Sequence, residues 1–68
     1  MVTYFYIDEL NKLAKEEDYV PYLFNDSNGL WEVDNDNLIM DLMKEIDPRL
    51  NEISQKEAER IQDVSKSN

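Results

Sequence analysis

In 68 residues the chain carries 16 Asp and Glu against 7 Lys and Arg, a formal net charge of −9, with no His and no Cys. That composition excludes a zinc site of the usual nitrogen and sulfur ligands, a thiol nucleophile, a disulfide framework and a histidine general base. The single Gly excludes G-x-G-x-x-G and the two-glycine frame of a phosphate loop, so composition favours binding over chemistry.

In chain order, Phe5, Ile7, Leu10, Leu13 and Ala14 recur mainly at three- and four-residue spacing, with Asp8, Glu9, Lys12, Lys15 and Glu16 between them. This predicts an amphipathic helix over residues 4–17, with Thr3 as its N-cap. Tyr19, Val20, Tyr22, Leu23 and Phe24 then form a β-prone run, and Asn25 to Gly29 make a dense turn cluster before Leu30, Trp31, Glu32 and Val33. Strand, turn with Gly at a φ > 0 position, strand: this predicts a β-hairpin over 19–33. A second helix is expected over 36–46. Asp34 or Asp36 caps it, Leu38, Ile39, Leu42, Met43 and Ile46 give its apolar stripe, and Pro48 stops it. The third, over 54–64, opens with a Ser54–Glu57 capping box and an Ile53–Ala58 hydrophobic staple. The tail from Ser65 to Asn68 is expected to be frayed or cut from something longer. The expected fold class is α+β: an N-terminal helix, a β-hairpin, then two helices, in a single small domain spanning 1–68.

A chain this short buries only about 60% of the surface its unfolded form exposes, so its core is thin. No apolar run approaches the roughly 18 residues of a membrane span, and the first residues lack the basic start and apolar stretch of a signal peptide. The expected location is cytoplasmic, in the host cytoplasm if the protein is viral, with no membrane partner.

Carboxylates are abundant enough to raise a calcium loop or a catalytic pair. If Gly29 is loop position six, however, position one is Phe24 and position twelve is Asn35, so both end ligands are missing. A carboxylate pair needs a cleft that chains of this size rarely build. No metal, no cofactor and no enzymatic activity are expected. The aromatic residues raise a base-stacking platform, which also needs cations to meet phosphates. Residues 1–34, which hold all the aromatic rings, carry eight acids and two bases; residues 35–68 carry eight and five. Direct nucleic-acid binding is therefore disfavoured. The acid surplus either keeps a small protein soluble or presents carboxylates in imitation of phosphates.

Residues 19–46 carry the most distinctive pattern: Tyr22, Leu23, Phe24, a polar turn closing on Gly29, then Leu30, Trp31, Glu32, Val33 and a capped amphipathic helix. This resembles the small segment that precedes the helicase motor in primase–helicase proteins of phages, phage satellites and poxviruses. With the Ser54–Val64 helix included, the resemblance spans residues 19–64. It implies an accessory domain of a replication system, one that arranges a motor or contacts a partner. The nucleotide-binding loop that defines activity in that family is absent. By this analogy Trp31 and Phe24 pack the hairpin, and Tyr19 or Tyr22 meets a neighbour. With acidic residues steering the approach, the candidate partner-binding residues are Tyr19, Tyr22, Trp31, Glu32, Asp34 and Asp36. The expected partner is a protein with a basic surface. The alternative is a free-standing acidic phage inhibitor, a nucleic-acid mimic that blocks a host nucleic-acid-binding enzyme.

Overall fold

The computed structural model describes residues 1–66. Six β-prone residues open the chain as strand β1 (Val2–Ile7), which pairs antiparallel with β2 (Lys12–Glu17) in a register running from Val2 opposite Glu17 to Ile7 opposite Lys12. The four residues between them reverse the chain, with φ at +70° in Glu9 and +52° in Asn11. A two-residue turn, Asp18 and Tyr19 at φ +51° and +70°, then leads into β3 (Val20–Asn25). Two consecutive positive φ values are the signature of the turn that best matches strand twist. β4 (Leu30–Val33) follows, then helix α1 (Leu38–Lys44), β5 (Leu50–Ile53) and helix α2 (Gln55–Lys66). The five strands form one antiparallel sheet in the order β4-β3-β2-β1-β5. The result is a small α+β domain.

The expected N-terminal helix is therefore wrong: residues 4–17 are two strands and a turn. Thr3, read as a helix cap, sits in β1 opposite Glu16. The error has a physical origin. Leu13 and Ala14 are adjacent, and both are buried, one in each of two separate cores. Strands buried on both faces lose the alternation that identifies a half-exposed strand, and the remaining spacings then resemble a helical stripe. β5 was also not foreseen; its four residues follow Pro48 closely and carry only two apolar side chains, Leu50 and Ile53. The strands at 20–25 and 30–33 and the helices at 38–44 and 55–66 lie close to the hairpin and helices expected there. α2 runs through Lys66, and the rest of the tail expected to fray, residues 67–68, lies outside the described residues.

Alternate residues of the sheet feed two cores. Phe5, Ile7 and Ala14 pack with Ile39 and Leu42 of α1, joined by Leu23 and Leu50. Leu13 and Phe24 pack with Ala58 of α2, joined by Tyr4, Trp31, Ile53 and Ile61. Each helix thus covers one face of the sheet. Pro21 is tolerated inside this sheet because its missing N–H falls past the end of β4. There its carbonyl instead accepts the Asp34 N–H at 3.0 Å.

The helix ends are set by local chemistry. Ser54 Oγ accepts the Glu57 N–H at 3.1 Å, which caps α2, but the Glu57 carboxylate turns to Arg60, so only this half of the expected capping box is formed. Ile53 packs on the same core as Ala58, as the staple requires. α1 stops before Pro48 can act. The Asp47 N–H donates to the Leu42 carbonyl at 3.0 Å and the Ile46 N–H to that of Met43 at 3.1 Å, the paired bonds of a Schellman motif. Ile46 occupies the left-handed position, φ +50°, where glycine is usual, and its side chain is 88% exposed. Ile46→Gly is expected to raise stability by about 1 kcal/mol in urea unfolding, since it relieves backbone strain and removes no packing.

Beyond that motif, Asp47 accepts hydrogen bonds from the Arg49 backbone N–H and Nε, both at 3.0 Å, and from Nη2 at 2.8 Å. Arg49 also approaches Glu9 at 3.6 Å, and its carbonyl accepts the Asp8 N–H at 2.8 Å. This knot ties the first turn to the start of β5. The bonds from Arg49 hold the Asp47 carboxyl at about 2, down from an ordinary 3.8. A folded-state value below the unfolded one means that the contribution is complete above pH 4 and disappears as pH falls towards 2. In acid unfolding followed by circular dichroism, the stability gap between wild type and Asp47→Asn should stay constant near neutrality and close over that interval.

Candidate functional site

The register of the sheet sets Tyr4, Lys15, Tyr22 and Val33 in one row across β1, β2, β3 and β4. Trp31 lies on the same face, two residues before Val33 on β4. The Lys15 ammonium stands 4.7 Å from the centroid of the Trp31 ring and 5.2 Å from that of Tyr22, and it is paired with Glu17 at 2.9 Å. Trp31 meets Phe24 edge-on at 5.2 Å and Tyr4 at 6.3 Å. The aliphatic stem of Lys15 thereby fills the space between rings, leaving that side chain only 14% exposed. α2 covers the β1 side of this face, whereas Tyr22 and Trp31 stay half-buried and Val33 exposed.

Of the six residues selected from sequence, the fold brings Tyr22 and Trp31 together around Lys15. Tyr19 stands apart at the β2–β3 turn, 94% exposed. Glu32 projects from the opposite face of β4, within 3.4 Å of the Asn25 amide. Asp36 is exposed in the segment before α1. Asp34 is buried: its Oδ2 accepts the Ile39 N–H at 2.8 Å, which makes it a helix-capping residue rather than a surface one. Sequence reasoning missed Lys15, Tyr4 and Val33. Only the strand register aligns them, and reading residues 4–17 as a helix concealed it.

Electrostatics sharpen the picture. Between residues 16 and 43 there are eight acidic residues and no Lys or Arg. This stretch builds β3, β4 and nearly all of α1, and the nearest cation, Lys15, is already neutralised by Glu17. Cations reappear at Lys44 and then lie along the second half of the chain. The β3–β4 end of the sheet is therefore anionic with half-open aromatic rings, a combination that repels phosphates.

Apart from this face, a groove of about 520 Å³ opens between β1, β5 and α2 over Ile53, Ile61 and Val64. Its polar side chains are occupied with each other or with near neighbours. Tyr6 Oη donates to Asn11, Asn51 donates to Asp8, and Arg60 is bonded to Glu57. That last pair lowers the Glu57 pKa and raises the Arg60 pKa, each through the bond to the other. Among the described residues, no three acidic side chains are arranged to hold a metal ion.

Compared with known protein families, with curated proteins and with solved structures, the chain finds no match in any of the three.

Lys15 thus serves the fold through both stem and charge. Lys15→Ala is expected to lower stability by about 1 kcal/mol, and Lys15→Met, which keeps the stem, by less. Urea unfolding followed by the fluorescence of Trp31, the sole tryptophan, measures both.

Proposed function

We propose that this chain is a non-enzymatic interaction domain that docks on a protein partner with a basic surface. The observation that carries the reading is the β3–β4 end of the sheet, where half-open aromatic rings lie in a stretch with eight acids and no unpaired cation. Aromatic rings supply contact area with little entropy to lose, while the surrounding charge selects and steers the partner. Tyr22 and Trp31 form the contact, while Glu32, on the other face of the same edge strand, and Asp36, in the exposed segment after it, add negative charge nearby. Asp34 contributes by holding α1 in place beside them. The resemblance of residues 19–64 to the segment ahead of helicase motors makes replication proteins of viruses or mobile elements the first class of partner to test.

The same run of acids favours a second reading, a nucleic-acid mimic that occupies the basic channel of a host enzyme. The two differ in what they compete with. A mimic is displaced by DNA and depends on charge alone, whereas a docking domain also depends on its rings.

Immobilised protein challenged with host extract tests both. For the docking domain, a retained partner weakens as salt rises and is lost with Trp31→Ala or Tyr22→Ala, while circular dichroism shows those variants folded. Displacement by DNA with both variants still active supports the mimic. Retention indifferent to salt and to both variants refutes the two readings together.

A further inference from the structure

The two edges of the sheet are not alike. On β5 the exposed side chains are polar, Asn51 and Glu52, and Leu50 and Ile53 are packed inward. On β4 the exposed side chains include Leu30 at 61% and Val33 at 51%, and the strand carries no Lys and no Pro. Natural sheets guard their edges with charge, proline or a covering segment, because an open apolar edge is a template for another strand. Among the described residues β4 has one neighbouring strand, β3; on its outer side the Val33 carbonyl accepts the Asn35 N–H at 3.0 Å, and no strand pairs with the rest of that edge.

Its backbone is oriented for such pairing. The Asp34 N–H is directed at Pro21, and in an antiparallel ladder the groups facing a given neighbour alternate. Asp34 and Glu32 therefore face β3, and the amides of Trp31 and Val33 point away from the sheet. The side chains alternate as well: Trp31 and Val33 lie on the α2 face, Leu30 and Glu32 on the α1 face.

We infer that β4 accepts an added strand from the partner, an extended segment in which apolar residues alternate with Lys or Arg. Its apolar side chains lie beside Trp31 and Val33, and its cations beside Glu32. Charge decides the occupant. A second copy would bring another −9 to the same edge and set acidic strand against acidic strand, whereas a basic segment is complementary to both. This inference rests on the docking role proposed above and specifies how the partner is held.

A fluorescent peptide of alternating lysine and valine, with a glutamate–valine peptide as control, tests it against the intact protein. The expected result is binding of the lysine peptide at least about tenfold tighter than the control, with slowed amide exchange at Trp31 and Val33. Val33→Pro removes an outward amide that β3 does not use and should weaken binding by about tenfold. If that variant fails to fold, Leu30→Lys and Glu32→Lys take its place and should each weaken binding. Binding unchanged in these variants, or exchange protection elsewhere, overturns strand addition and leaves the docking role to the extract experiment. A dimer abolished by Val33→Pro overturns it in favour of a second copy. Absence of peptide binding at low salt overturns it outright.

Discussion

Leu13 and Ala14 are consecutive in the chain, and each is almost wholly buried under a different helix. That division governs the rest of the molecule. β2 is the middle strand, so it must be apolar on both faces over only six residues, and the sheet must supply two cores from one short chain. Two helices are too few to cover five strands completely. α1 and α2 cover the inner strands, and the β3–β4 end of the α2 face is left half-open. The incomplete coverage follows from size, since small domains bury a smaller share of their surface.

What fills the gap is chemically specific. Lys15 lies against the Trp31 and Tyr22 rings with Glu17 beside it, so the local cation is consumed internally and presents no charge to solvent. Around it the chain runs from Glu16 to Met43 without a base. Apolar contact area and negative potential therefore coincide at one end of the molecule, next to the less guarded edge of the sheet. Either feature alone is ordinary in a small acidic protein. Their coincidence is the basis of the proposed docking role.

Legibility in the sequence followed locality. The Asn25–Gly29 turn, the Ser54 cap and the apolar stripe of α1 are encoded within a few residues each, and these elements could be read directly. β1 does carry a local signal, six β-branched or aromatic residues from Val2 to Ile7, which the three- and four-residue apolar spacing masked. β2 carries none, because its Leu13 and Ala14 are buried under different helices. The same limit applied to the site. Trp31 and Tyr22 stand out by residue type, but Lys15 becomes their partner only through a register that joins β2 to β3 and β3 to β4. Asp34 was legible in one role and not in the other: its place before α1 marks it as a capping candidate, and the fold makes it a buried support for the start of that helix instead of a surface contact.

The pairing of β5 with β1 joins Tyr4 to Ile53, whereas every other strand pair is a hairpin between neighbours in sequence. Closure of that one ladder needs most of the chain, and long-range pairings of this kind form slowly. The first four strands can therefore assemble in order of synthesis before β5 and α2 are present. During that interval the rings of Tyr4, Phe24 and Trp31 have no helix over them. Folding has a vulnerable period in which both the uncovered face and the β1 edge are open to other chains. It ends when residues 50–66 arrive to close both.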